Sequence, residues 1–190
     1  MYAKVENNKI VKANSNLASF GLASNTTQAQ RQAAGVYEIV YDNSNVKDES
    51  YYINGAETLS FNGTQVTSTR AAATARNLND VNEVNKDGTP MLHQDGKQVV
   101  TLGLKSIHKN RVKQQASSLI TPSDWYVIKA SEVAEYNIPT DIATFRAAVR
   151  VKSNEMEAAI DAASSIDALS ALYVYNKDTK TRPLGDFPKL

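Results

Sequence analysis

Apolar and polar positions change period along this chain, from two at the front to three and four behind. Ala3 and Val5 interleave with Tyr2, Lys4 and Glu6, and Lys9-Ile10-Val11 resumes the run after Asn7-Asn8. Asparagine tolerates positive φ, so this reads as a β-hairpin with a two-residue turn. The Ser/Thr/Asn/Gln-rich stretch 13–34 ends at Gly35, and Thr26 or Thr27 can cap a short helix before it. Val36-Tyr37-Glu38-Ile39-Val40-Tyr41 is rich in β-branched and aromatic residues, and a polar loop of residues 42–49 follows. Tyr51-Tyr52-Ile53, Thr58-Leu59-Ser60-Phe61 and a threonine-rich run from Thr64 are separated by Asn54-Gly55 and Asn62-Gly63. Asn-Gly between alternating segments is the strongest short-range hairpin signal, so both are expected to turn hairpins.

Residues 79–98 carry two Asp-Gly pairs and a proline among few apolar residues, the pattern of a linker or exposed hairpin. From Thr101 the spacing fits a helix, with Leu104, Ile107, Arg111 or Val112, Gln115 and Leu119 on one face. Lys105, Lys109 and Lys113 lie on another, with His108 among the charged residues. Pro122 cannot continue that helix, and a turn on Ser123-Asp124 then presents Trp125 and Tyr126. A longer helix starts near Pro139, with Thr140 as its cap. Ile142, Phe145, Val149, Met156 and Ile160 form its apolar face. Ser164-Ser165 breaks it before a last turn at Asp167-Ala168-Leu169, and residues 176–190 read as an extended polar tail.

The fold class expected is therefore α+β: a small N-terminal antiparallel β-domain (residues 1–80), a linker (81–100), a helical hairpin (101–175) and the tail. A chain of this length buries roughly 70% of its extended-chain surface if it folds compactly.

Composition narrows the chemistry. Lys+Arg 21 against Asp+Glu 20 leaves a net charge of +1, too little to steer the chain to nucleic acid or an anionic membrane. There are no cysteines, so disulfides, thiolate zinc sites and thiol catalysis are excluded. His93 and His108 are the only histidines and stand too far apart for a helical metal pair. Eight isolated glycines form no phosphate-cradling loop, and nothing selects a catalytic pair among the acids. The lysine stripe could touch phosphates, yet its helix lacks aromatic residues to stack bases. No signal peptide and no membrane span are expected, and no catalytic residue, cofactor or metal.

What remains is contact between proteins. The candidate contact residues are Trp125 and Tyr126, which would plug the corner between the two helices, the near-heptad face Ile142, Phe145, Val149 and Met156, and the strand tyrosines Tyr51 and Tyr52. The heptad spacing suits packing between chains or within one hairpin, and the tyrosines suit contact or cross-strand packing.

One group of residues carries a resemblance. Leu119-Ile120, Ser123-Asp124-Trp125, Pro139 and Thr144-Phe145-Arg146-Ala147-Ala148-Val149-Arg150 resemble the pattern of phage tail assembly chaperone and tail-fibre assembly proteins. In that family a Leu-Leu pair precedes a Thr-Asp-Trp turn, and an aromatic-Arg-x-x-Leu-Arg helix follows. Tyr2-Ala3-Lys4-Val5-Glu6-Asn7, Phe20-Gly21 and Gly35-Val36-Tyr37 are similar to the short β-module that opens many such proteins. The Trp-Pro-rich family ending is replaced by a longer helix and a tail with Pro183 and Pro188. The resemblance implies a phage tail protein, made in the host cytoplasm and carried in the virion tail. Its partners would be fibre or baseplate proteins and copies of itself. A baseplate or fibre-attachment adaptor and a transient assembly chaperone are the two roles it leaves open.

Overall fold

The computed structural model describes the backbone of all 190 residues and every side chain except that of Asn14. The chain is α+β, with a β-sheet in its N-terminal part and helices in its C-terminal part. It divides into two compact units, Met1–Ala75 and Arg76–Leu190.

In the first unit β1 (Tyr2–Glu6) and β2 (Lys9–Ser15) form the expected hairpin. Asn7 and Asn8 have φ of 50° and 60°, the two positive values that a type I′ turn requires. Helix α1 (Gln28–Ala33) is closed by a capping box: the Gln30 amide donates to the Thr27 hydroxyl, and the Gln30 side-chain oxygen accepts from the Thr27 amide. Gly35, at φ 71°, turns the chain into β3 (Val36–Asp42). After β4 (Tyr52–Ile53), β5 (Glu57–Phe61) and β6 (Val66–Arg70) form a hairpin across Asn62-Gly63, and β7 (Thr74–Ala75) follows. The sheet order is β2-β1-β3-β6-β5. It is antiparallel except at its centre, where β3 runs parallel to β6 with Ile39 opposite Val66. Ala3, Val5, Ile39 and Val66 form its core, with Tyr37 and Phe61 packed ring to ring at 4.7 Å.

Asn54-Gly55 turns no hairpin. Strand β4 pairs with β7 rather than with β5, placing Tyr52 opposite Ala75. The glycine is needed for another reason: the backbone of Ala71 approaches so closely that a Cβ at residue 55 would strike it.

The second unit begins with an arm that pairs with itself. Strands β8 (Val81–Asn82) and β9 (Val100–Thr101) close its base, and single bridges join Val84 to Pro90 and Leu92 to Gln98. Thus residues 81–100 form a folded β-arm, closer to the exposed hairpin than to the linker of the two expectations. The Asp80 carboxylate accepts from the Gly103 amide (2.8 Å) and the Ser106 hydroxyl (2.9 Å), capping the next helix from outside it. These bonds, the Gly103 amide first, hold the Asp80 pKa below its usual value.

Helix α2 (Leu104–Ile120) ends in a 3-10 turn at Thr121–Ser123, and α3 (Asp124–Glu132) starts at once. Helix α4 (Thr140–Ala162) runs antiparallel to α2, and Ser165 caps α5 (Ile166–Ala171) by accepting from the Ala168 amide. Pro139, not Thr140, occupies the cap position of α4 and offers no side-chain bond. Residues 176–190 are not a free tail. Asn176 pairs with Thr181, the Leu184 amide donates to the Leu172 carbonyl, Leu184 is buried, and Phe187 packs on the Ala116, Phe145 and Val149 cluster.

Candidate functional site

The corner after α2 is built around a buried arginine. Arg146, 7% exposed, sits nearly two turns into α4, beside the α2 terminus. Its Nη1 donates to the Ile120 carbonyl at 3.0 Å and the Ser123 hydroxyl at 2.7 Å, while Nη2 pairs with Asp124 Oδ1 at 2.8 Å. The Ser123 hydroxyl donates in turn to the Ile120 carbonyl at 2.7 Å. A helix C-terminus presents unpaired carbonyls and a partial negative charge, so a planar cation with five donors suits that position. The motif residues Ser123, Asp124 and Arg146 therefore form one clasp.

Trp125 does not plug this corner. It lies in the first turn of α3, half exposed, with its ring 3.8 Å from that of Tyr126. Pro122 explains the difference, because it occupies the early 3-10 position where a missing N–H costs nothing, and so opens a new helix instead of a turn.

The four apolar positions proposed from heptad spacing are consumed inside the chain. Ile142, Phe145, Val149 and Met156 are all buried, Phe145 and Val149 against Ala116 of α2. That leaves the intramolecular packing reading and removes these residues as an open face. Tyr51 is also buried, and Tyr52 is half-buried beneath Lys47, whose Nζ stands 4.6 Å from the ring centre.

The buried stripe of α2 is Leu104, His108, Val112 and Ala116, so His108 faces inward, its ring 4.7 Å from that of Tyr173. Burial first, and the Arg111 charge second, lower its pKa from 6.5 and favour the neutral ring. The lysine stripe faces α4: Lys105 donates to the Asp161 carbonyl (2.8 Å), Lys109 pairs with Asp161 (2.8 Å) and Lys113 with Glu157 (3.3 Å). The hydrogen bond to Asp161 raises the Lys109 pKa. These lysines zip two helices together.

What stays outward is α3. All nine of its residues keep exposure, and Trp125 (50%), Val127 and Ile128 (55%) are apolar. Lys129 leans across the Tyr136 ring at 4.3 Å. Nearby α2 and Phe187 line a groove of about 470 Å³, with Leu119 and Phe187 its apolar walls and Arg111, Gln114 and Gln115 its polar ones. The α3 strip is the candidate contact surface. Tyr126 and Trp125, nominated from sequence, belong to it; Val127 and Ile128 were missed because the segment reads locally as a turn.

Among the described residues no group of three or more His, Asp or Glu could hold a metal ion. No helix is long and apolar enough to cross a membrane. No family model matches the chain, and neither a curated protein nor a solved structure does.

Proposed function

We propose that this chain is a structural component of a phage tail, a baseplate or fibre-attachment adaptor that works by protein contacts and carries no catalysis. The observation that supports it is the Arg146 clasp. The residues bearing the resemblance to phage tail proteins, Ser123, Asp124 and Arg146, act together in one corner and not as scattered matches. That corner launches α3, whose apolar side chains face solvent instead of the chain's own core. Single exposed apolar residues are ordinary on protein surfaces, but a helix that fully buries none of its residues gains little from packing within the chain. A partner covering Trp125 and Ile128 supplies that packing. On this reading the partners are fibre or baseplate proteins, and the chain resides in the virion tail.

The alternative role is a fibre-assembly chaperone that leaves after the fibre forms. Adding the purified protein to particles assembled without its gene separates the two. An adaptor restores fibre attachment to finished particles mixed with finished fibres and stays bound. Failure to rescue under those conditions, with rescue only when the protein is present during fibre synthesis, contradicts the adaptor role.

A further inference from the structure

The β-arm contains an internal repeat with a period of eight. Residues 81–88, 89–96 and 97–104 align so that Glu83, Met91 and Val99 share the third place, and Val84, Leu92 and Val100 share the fourth. Asp87-Gly88 and Asp95-Gly96 end the first two copies, with φ of 83° and 79° at the glycines. Each aspartate carboxylate accepts the amide two residues on, from Thr89 at 3.0 Å and Lys97 at 3.1 Å.

The backbone pairing closes this repeat into a ring. The Met91 amide donates to the Glu83 carbonyl (2.9 Å), the Val99 amide to the Met91 carbonyl (2.8 Å), and the Glu83 amide back to the Val99 carbonyl (2.9 Å). The neighbouring pairs follow the same rotation: Val84 with Pro90, Leu92 with Gln98, Val100 with Asn82. Three copies joined head to tail in a cycle of equivalent bonds have pseudo-threefold symmetry. The fourth position is apolar in every copy, and its residues stand out of the ring at 56%, 56% and 40% exposure for Val84, Leu92 and Val100. A strand alternates its faces, and the opposite face carries unlike residues, Glu83, Met91 and Val99.

The symmetry names the occupant. A surface that offers the same apolar contact three times about an axis is matched by a surface that repeats the same pocket three times, which a homotrimer presents where its axis emerges. We propose that the ring is the surface by which one copy of this chain caps the threefold axis of a homotrimeric protein, with Val84, Leu92 and Val100 each entering one subunit. This rests on the adaptor reading and specifies it: the partner is a trimeric fibre, and one chain serves three fibre subunits.

The test uses the full chain and fibre trimers purified from disrupted particles. Native mass spectrometry is expected to give one chain per trimer. Val84→Asp, Leu92→Asp and Val100→Asp are each expected to weaken binding by at least about fivefold, the cost of losing a central apolar contact, and by similar factors. Amide exchange at Glu83, Met91 and Val99 shows whether the ring itself survives each change. As a second variant, joining Asn82 to Val100 through a two-residue turn where they already pair removes residues 83–99, and with them the ring and two of its three contacts, and is expected to abolish binding with α2 and α4 still folded. Three chains per trimer overturn the inference, as do unaltered binding by the ring deletion or loss confined to one of the three substitutions with the ring intact. Those results leave the adaptor reading standing, because fibre would still bind. No binding of the unmodified chain to fibre overturns both.

Discussion

The Arg146 guanidinium donates to the Ser123 hydroxyl at 2.7 Å, joining α4 to the end of α2 across 23 residues of chain. Arg146→Met removes this bond together with those to Ile120 and Asp124, leaving the buried Ser123 hydroxyl without its donor and the Ile120 carbonyl with the Ser123 bond alone. Bonds to charged groups contribute about 1.5–3 kcal/mol each, and the half-exposed Asp124 recovers water, so a net loss of about 2–3 kcal/mol is expected. Arg146→Lys keeps the charge but cannot reach all three acceptors in one plane, and is expected to recover less than half of that loss. Urea unfolding of the three proteins measures both.

Trp125→Ser and Ile128→Ser should change stability by less than about 0.5 kcal/mol, since neither side chain is in the core. Met156→Ala, which opens a cavity at a site 2% exposed, should cost about 2–5 kcal/mol. Thermal melts order these variants. Partner binding should follow the opposite order, lost in the Trp125 and Ile128 variants and retained in any Met156 variant that remains folded.

His108 predicts an acid limit. Its folded pKa lies below the value of 6.5 that the unfolded chain keeps, so the unfolded state binds the proton more readily. The contribution of the neutral ring is therefore complete above about pH 6.5, and stability declines as pH falls from there through the folded pKa. His108→Gln, which does not titrate in this range, should flatten that part of the stability–pH curve measured between pH 7.5 and 5.

Asn7 and Asn8 both hold positive φ in the β1–β2 turn. Asn8→Gly is expected to be neutral or mildly stabilising, because glycine reaches that region without a Cβ penalty. Asn8→Val should destabilise by about 1–2 kcal/mol, the cost of a left-handed L-residue with a branched side chain. Denaturant midpoints of the two variants give the comparison.

Local signals were legible where the structure obeys them. The Thr27 cap, the Asn7-Asn8 turn, the helix break at Ser164-Ser165 and the apolar stripe of α4 all follow from residues within one or two turns of each other. Long-range pairing was not. Strand β4 takes its partner from β7, across 20 residues, and the parallel β3–β6 pair likewise has no local signature. In α2 the competing stripes Leu104-Ile107-Arg111 and Leu104-His108-Val112 differ little in hydrophobicity, so the inward turn of His108 depended on α4 and Tyr173. Arg146 was visible as a motif residue, but its role required knowing that α2 ends beneath it. The arm's period of eight is hidden because only its turns and fourth positions repeat in kind.

An adaptor of the kind proposed stays in the particle. Quantitative mass spectrometry of purified, salt-washed virions measures that directly. Its peptides are expected at a fixed copy number relative to the fibre subunit, unchanged by further washing. Their absence from infectious particles that carry a full set of fibres would contradict it.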